Sequence, residues 1–387
     1  QRDVKDYYEI GFKDASKKEY WFENAWKPSQ LRIEEIRVKD GPSVYDTVAY
    51  TVFGPVMYDQ DFSKPVSAKR NLAVRWVAHD PSNEGYAFYH LNRAANYDEY
   101  ASAIRTFNCP GQNFVFASKS GDIAIWQQGK FPARWDGQGL YVMPGEDSSY
   151  MWQGFIPQSE NPHSKNPVRG FLESGNQRPV DSTYPYFIPG SYITPRAITI
   201  EKYLGSMAGI KPEDMKKLQN NYFNTTAEDI KPVLLKYVKE EVLNADQKKY
   251  LDLFRNWDLM ASPDSKGQTV YQCWWDSLQA GIWSDDLAKA DSAAFPWAQT
   301  TLELLLKDSA MRFIDNIKTP QAETLFDQVT DALKRASSRL AAAEKDGRLE
   351  WARFKRPAVY HLLKDALPAF ASPDLNIGGN NDIINAV

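Results

Sequence analysis

From Lys5 to Met57, polar and apolar residues take turns along the chain. Tyr7-Tyr8-Glu9-Ile10-Gly11-Phe12, Leu31 to Val38 and Thr47 to Phe53 each set apolar side chains on alternate positions. That is the period of a strand with one buried face. Lys39-Asp40-Gly41-Pro42, between the last two runs, is turn chemistry, so those runs predict a hairpin. Leu72 to Val77 predicts a further strand. The period then lengthens. Between Tyr86 and Phe107, apolar residues fall at Phe88, Leu91, Ala94 and Ala95, then at Tyr100, Ala103, Ile104 and Phe107. This is helical spacing, broken at Asn96-Tyr97-Asp98, with Asn96 or Asp98 as a cap. Asn113 to Ala117 and Ile123 to Trp126 flank the Gly-containing loop Ser118-Lys119-Ser120-Gly121-Asp122 and predict a second hairpin. Gly137 to Pro195 has no sustained period and is rich in Gly, Pro, Asn and Tyr. It reads as structured loops carrying short strands, a kind of segment that more often holds function than spans a gap.

Near Arg196 the pattern changes again. Ala197 to Tyr203 opens a helix, and most of Lys211 to Ala343 has helical spacing. The clearest runs are Thr225 to Glu241 behind a Thr225/Thr226 cap, Asp246 to Trp257, and Gln321 to Lys345 with Leu325, Val329, Ala332, Leu333, Ala336 and Leu340 on one face. Ser372 to Val387 turns extended around Gly378-Gly379. The predicted organisation is α+β: a β-rich part over 1–196, a mainly helical part over 197–370, and a return to the β part over 371–387.

Composition narrows the possibilities. The 387 residues are 43% hydrophobic and 25% charged, which is globular and not disordered. With 46 basic and 50 acidic residues the net charge is −4. The basic residues are scattered, so no nucleic-acid partner is expected. No run approaches the ~18 apolar residues of a membrane span. The aromatic share of 13% suits acyl pockets, sugar sites and β-rich cores alike. Cys109 and Cys273 are the two cysteines, and the sequence leaves open whether they pair.

Most catalytic signatures are missing. His79, His90, His163 and His361 have no metal-ligand spacing, and there is neither a G-x-S-x-G elbow nor a phosphate loop. Two features remain. Asp3 and Asp6 are two carboxylates beside a strand start, and with an intervening carbonyl they suit a hard cation such as Ca²⁺. Gly175-Asn176-Gln177-Arg178-Pro179 places a side-chain amide in a turn, where it either caps the turn or donates to a developing oxyanion.

The run from Asn113 to Asn176, with its immediate flanks, resembles the penicillin acylase family of N-terminal-nucleophile hydrolases. The matching pieces are Gln112-Asn113-Phe114-Val115-Phe116-Ala117, Gly121-Asp122-Ile123, Gly129-Lys130-Phe131-Pro132-Ala133-Arg134 and Gly137-Gln138-Gly139-Leu140. They continue with Met143-Pro144-Gly145, Trp152-Gln153-Gly154-Phe155-Ile156-Pro157, Asn166-Pro167, Gly170-Phe171-Leu172 and Asn176-Gln177-Arg178. Further matches are Asp3-Val4-Lys5-Asp6-Tyr7-Tyr8, Gly54-Pro55-Val56, Trp257-Asp258 and Gly378 to Ala386, so the resemblance runs through nearly the whole chain. It implies an αββα sandwich, here incomplete and with a large helical insertion. It also implies a precursor that cleaves itself into a small α chain and a large β chain. The N-terminal Ser of the β chain attacks the amide of an N-acylated substrate, penicillin-like or another N-acyl compound, with its own amine as base. Carried over residue by residue, Asn176 would donate to the oxyanion and Arg196, in Pro195-Arg196-Ala197-Ile198, would orient the site. A structural Ca²⁺ would take the carboxylates of Asp3 and Asp6, the carbonyls of Lys5 and Gly139, and Asp181.

The resemblance places the nucleophile some tens of residues before Asp3, whereas the chain begins at Gln1. The expectation is therefore an internal part of a β chain that is inactive alone and needs the α chain of the same precursor. Family members are exported, which implies a periplasmic or extracellular protein. The alternatives are a non-catalytic carbohydrate- or ligand-binding protein, or a homologue whose machinery has decayed.

Overall fold

The computed structural model describes residues 4–59, 70–190, 192, 195–287 and 295–385. The chain divides into two compact units, 1–192 and 193–387.

The first unit holds the strands. In chain order they are β1 (Lys5–Glu9), β2 (Glu19–Phe22), β3 (Ala25–Pro28), β4 (Gln30–Ile36), β5 (Val44–Thr51), β6 (Gly54–Tyr58) and β7 (Leu72–Trp76). Two helices, α1 (Glu84–Leu91) and α2 (Tyr97–Ile104), come next. After them follow β8 (Gln112–Ala117), β9 (Ile123–Gln128), β10 (Met143–Pro144) and β11 (His163–Lys165). Among the described residues one sheet runs β10-β1-β7-β6-β5-β4, a second β11-β9-β8, and β2 pairs with β3. The alternating runs form the expected hairpins: β4 pairs antiparallel with β5, and β8 with β9. Asn96 is the cap that separates α1 from α2, its side chain accepting from Glu99 N–H at 2.9 Å.

Alternation also fixes which side chains β1 buries. Asp6 and Tyr8 point inward, while Lys5, Tyr7 and Glu9 are half-buried. Tyr8 stacks on Phe53 at 4.3 Å, and Phe22 meets Phe53 edge-on at 5.7 Å. β1 therefore carries one carboxylate into an aromatic core, and that placement builds part of the site.

The second unit is helical: α3 (Pro195–Ser206), α4 (Pro212–Gln219), α5 (Thr225–Tyr237), α6 (Ala245–Arg255), α7 (Lys266–Trp283), α8 (Ala298–Lys307), α9 (Leu325–Lys345) and α10 (Trp351–Lys355). The central helix α7 buries Val270, Tyr271, Trp274, Leu278 and Ile282, among others. Against them pack Leu251 and Phe254 of α6, and Val329, Leu333, Ala336 and Leu340 of α9. Each buried Val, Leu, Ile or Phe among them contributes about 1.5–3 kcal/mol of burial. Trp274 Nε1 donates to Val329 O at 2.9 Å, satisfying its buried N–H.

Two expectations change in detail. The cap of α5 is Asn224, which accepts from Ala227 N–H at 2.9 Å, while Thr225 and Thr226 lie buried in the first turn. The helix also stops at Tyr237 and does not reach Glu241. There the chain leaves to dock on α9: Lys239 N–H donates to Thr330 Oγ1 at 2.9 Å and Lys239 Nζ to Asp327 at 2.7 Å. Beyond Ser372, which bridges to Val359, no strand forms among the described residues. The Gly378-Gly379 segment is held inside the helical unit by Trp351 Nε1, which donates to Gly379 O at 2.7 Å, and by Lys355 Nζ, 2.7 Å from Gly378 O. Gly378 is needed there because a Cβ would run into Ala261 O.

Candidate active site

Asn176 sits in the long loop region of the first unit with a left-handed backbone, φ 69°. Asn reaches this region more readily than other non-Gly residues because its short amide bonds locally. Side-chain bonds hold both of its neighbours. Gly175 N–H donates to Gln177 Oε1 at 2.7 Å, and Gln177 Nε2 donates to Glu173 Oε1 at 2.6 Å. Asn113 Nδ2, on β8, donates to Ser174 Oγ at 2.8 Å and fastens the loop to the sheet. Asn176 itself is exposed. A carboxamide on a turn fixed from both sides has the properties of an oxyanion donor: it is neutral, polar and positioned before charge develops.

A second polar cluster lies around Asp6. Its carboxylate is 1% exposed, and Arg134, 7% exposed, donates from Nε to Oδ2 at 3.1 Å. Trp152 Nε1 donates to the same oxygen at 2.5 Å. Asp6 Oδ1 is buried with no hydrogen-bond donor. Gly139, φ 82°, lies so close that a Cβ there would run into this oxygen. Nearby, burial pushes the Tyr8 phenol well up, with the Asp6 charge acting in the same direction. A buried carboxylate oxygen without a donor, next to a glycine that lets the backbone approach, is chemistry that a hard cation satisfies.

The remaining sequence-derived ligands divide. Lys5 lies on β1 next to Asp6. Asp3 falls outside the described residues. Asp181 is exposed, and its Oδ1 accepts from Thr183 N–H at 2.9 Å and from Thr183 Oγ1 at 2.6 Å, which holds its carboxyl below the usual range. Among the described residues no group of three or more His, Cys, Asp or Glu side chains comes together as a metal cluster. The structure thus brings Asp6 and Gly139 together, while Asp181 is occupied in a local turn.

Arg196 belongs to the second unit, in the first turn of α3. Asp382 faces it there: burial raises the Asp382 carboxyl, and the Arg196 charge opposes that rise. Asp382 N–H donates to Asn380 Oδ1 at 2.8 Å, so the Asn380-Asn381-Asp382 turn is ordered by its own side chains.

Sequence reading assigned no role to Arg134, Trp152, Glu173, Gln177 or Asp382. Four of these lie within the stretches that carry the family resemblance, so a search there for partners of Asp6, of Arg196 and of the Asn176 turn would have raised them. Glu173 lies just outside, and only its position before Ser174-Gly175-Asn176 marks it.

Comparisons with known proteins give the family and the fold. The penicillin amidase family profile matches residues 1–387. The acyl-homoserine lactone acylase QuiP of Pseudomonas syringae pv. syringae is 25% identical over 337 residues, covering 80% of this chain and 40% of that protein. QuiP of Pseudomonas putida is 25% identical over 386 residues, covering 92% of this chain and 46% of that protein. The penicillin acylase 2 proenzyme of Pseudomonas sp. (strain SE83) is 23% identical over 167 residues, 43% of this chain and 21% of that one. The chain thus spans less than half the length of the curated relatives it matches. A thermostable penicillin G acylase from Alcaligenes faecalis superposes with a TM-score of 0.63 at 18% identity, covering 96% of this chain and 68% of that one, and so shares its α+β N-terminal-nucleophile hydrolase fold. With a family profile matched from the first residue to the last and the fold in common, the chain belongs to the penicillin amidase family.

Proposed function

We propose that this chain is part of an amidohydrolase that cleaves the amide of an N-acylated substrate, with Asn176 Nδ2 donating to the oxyanion. The observation that carries the reading is the left-handed turn at Asn176, closed on both sides by the Gly175–Gln177–Glu173 bonds. Substrates of the N-acyl homoserine lactone type are favoured over penicillins. The acyl-homoserine lactone acylases align over 80% and 92% of the chain, the penicillin acylase over 43%.

In the proposed reaction the nucleophile is the N-terminal Ser of a processed β chain. Its Oγ bonds to the carbonyl carbon while its α-amine takes the hydroxyl proton. Asn176 stabilises the charge on the carbonyl oxygen until the C–N bond breaks and the amine leaves with that proton. Water then hydrolyses the acyl ester by the same route. The orienting arginine of the family falls at Arg196, which has Asp382 beside it within its own unit. A structural Ca²⁺ would be held by Asp6 Oδ1, which has no donor, with the carbonyls of Lys5 and Gly139 and the carboxylate of Asp3 as further ligands, and would supply charge balance and rigidity; Asp181 would join them only by giving up its bonds to Thr183. The partner is the α chain of the same precursor, and the place of action is the periplasm or outside the cell. No helix among the described residues is long and apolar enough to cross a membrane.

The test is to express the complete gene and determine the intact masses and N-termini of its products, then assay N-acyl homoserine lactones and penicillin G. A β chain beginning with Ser, with kcat reduced about 10²–10³-fold in Asn176→Ala, supports the reading. An unprocessed chain without amidase activity points instead to a binding or decayed homologue.

A further inference from the structure

We infer that Glu173 is a positioning residue for Asn176, an inference that rests on the oxyanion reading above. Three side-chain and backbone groups link across the turn. Glu173 Oε1 accepts from Gln177 Nε2 at 2.6 Å, and Gln177 Oε1 accepts from Gly175 N–H at 2.7 Å. The chain of bonds starts three residues before Asn176, crosses to the residue after it, and returns to the peptide in front of it. It therefore fixes both flanks of the one residue whose backbone is left-handed. Without it, Gly175 has no Cβ to resist rotation, and the carboxamide loses its fixed direction.

Glu173 is itself anchored. Its side chain is 6% exposed, with Arg169 Nη2 3.7 Å away. Its second oxygen, Oε2, is buried and has no donor. A buried acceptor left without a partner costs stability. A carboxylate kept here despite that cost acts through what its other oxygen holds, and Oε1 holds Gln177. A donor displaced by a few tenths of an ångström still binds substrate but meets the oxyanion poorly, so the loss belongs in kcat and not in KM.

The experiment uses the complete processed enzyme and compares Glu173→Ala, Glu173→Gln, Gln177→Ala, Asn176→Ala and the double variant Glu173→Ala/Asn176→Ala. Glu173→Ala is expected to lower kcat about 10-fold with KM within about two-fold. Glu173→Gln retains activity, because its carboxamide oxygen accepts the same bond. Gln177→Ala, which breaks the bridge from its other end, repeats the Glu173→Ala loss and carries the test if that variant fails to fold. The double variant is no slower than Asn176→Ala alone, because one device has been removed twice. Losses that multiply in the double variant, a Glu173→Gln enzyme as slow as Glu173→Ala, or unchanged kcat in both Glu173→Ala and Gln177→Ala overturn this inference alone. Full activity in Asn176→Ala overturns the site reading and this inference with it.

Discussion

The two units of the chain solve the problem of burial in opposite ways. The helical unit packs an apolar cluster that runs from Ala227 to Leu349, with α7 wrapped by α6 and α9. Many of its buried polar atoms cap helices or satisfy one neighbour, as Asn224 and Trp274 do, although Asp285 is buried with one oxygen bonded to Ile317 N–H and the other without a donor. The strand unit has smaller apolar clusters and inserts charge among them: Asp6 with Arg134 beneath Trp152, and Glu173 beneath the Asn176 turn. Apolar packing is tolerant of small shifts and stabilises cheaply. Buried polar networks fix direction, at the risk of a large penalty when one member is lost. Asn176 and Asp6 lie in the unit that leans more on such networks.

The sharpest way to break this contrast is Arg134→Met. It leaves the Asp6 carboxylate buried and uncompensated and should cost about 3–5 kcal/mol of unfolding free energy in urea. The double variant Asp6→Asn/Arg134→Met should recover part of that loss, since a neutral amide is cheaper to bury than a lone charge. If the single and double variants are equally unstable, the ion pair is not what the strand unit depends on. Recovery would also argue that any cation at Asp6 Oδ1 adds to a cluster already balanced by Arg134.

How far the sequence led differs between the units for the same reason. Periodicity located the hairpins at β4–β5 and β8–β9. On β9 the alternate residues are buried, whereas β4 is exposed along most of its length, so there the alternation marked a strand and not a buried face. Periodicity also located α9, because its apolar residues recur at helical spacing. The ends of α5 were misplaced. Asn224 and Thr225 are both good caps by type, and only the fold decides which one faces the open N–H groups. The exit at Val238 depends on Thr330 and Asp327, far along the chain. Asn176 and Asp6 emerged from the family resemblance, since local chemistry left a turn asparagine and a pair of acids open to bland readings. Arg134, Glu173 and Gln177 carry no local pattern at all. The meaning of Arg134 lies in a contact 128 positions away, with Asp6, and that of Glu173 and Gln177 in the folded turn that brings their side chains together.

A smaller effect tests the packing side of the comparison. Gly267, in the first turn of α7, has no room for a side chain: a Cβ would overlap the Cβ and ring of Trp257. Gly267→Ala should therefore destabilise by about 1–3 kcal/mol, although alanine is the better helix former. A more stable Gly267→Ala variant would mean that Trp257 yields, and that the helical core is looser than its burial implies.

The smallest expected effect concerns charge in the unit that otherwise relies on apolar contact. Lys239 Nζ, 2.7 Å away, is the main cause holding the Asp327 carboxyl low, with Thr324 donating from its hydroxyl and its backbone N–H; together they bring it to about 2. An unfolded aspartate titrates near about 3.9, so as the pH falls the unfolded chain takes up this proton first. The stabilisation is complete above about pH 4 and drains away as the pH falls through about 2. Both partners are about one-third exposed, at 36% each, so solvent screens the pair and the effect is modest. Asp327→Asn should lower stability at neutral pH and flatten the acid limb of the unfolding curve between about pH 4 and pH 2, with the two curves converging at the acid end. Curves that stay parallel across that window would show that Asp327 contributes as a neutral cap on α9, and that the helical unit uses no charge to hold the chain leaving α5.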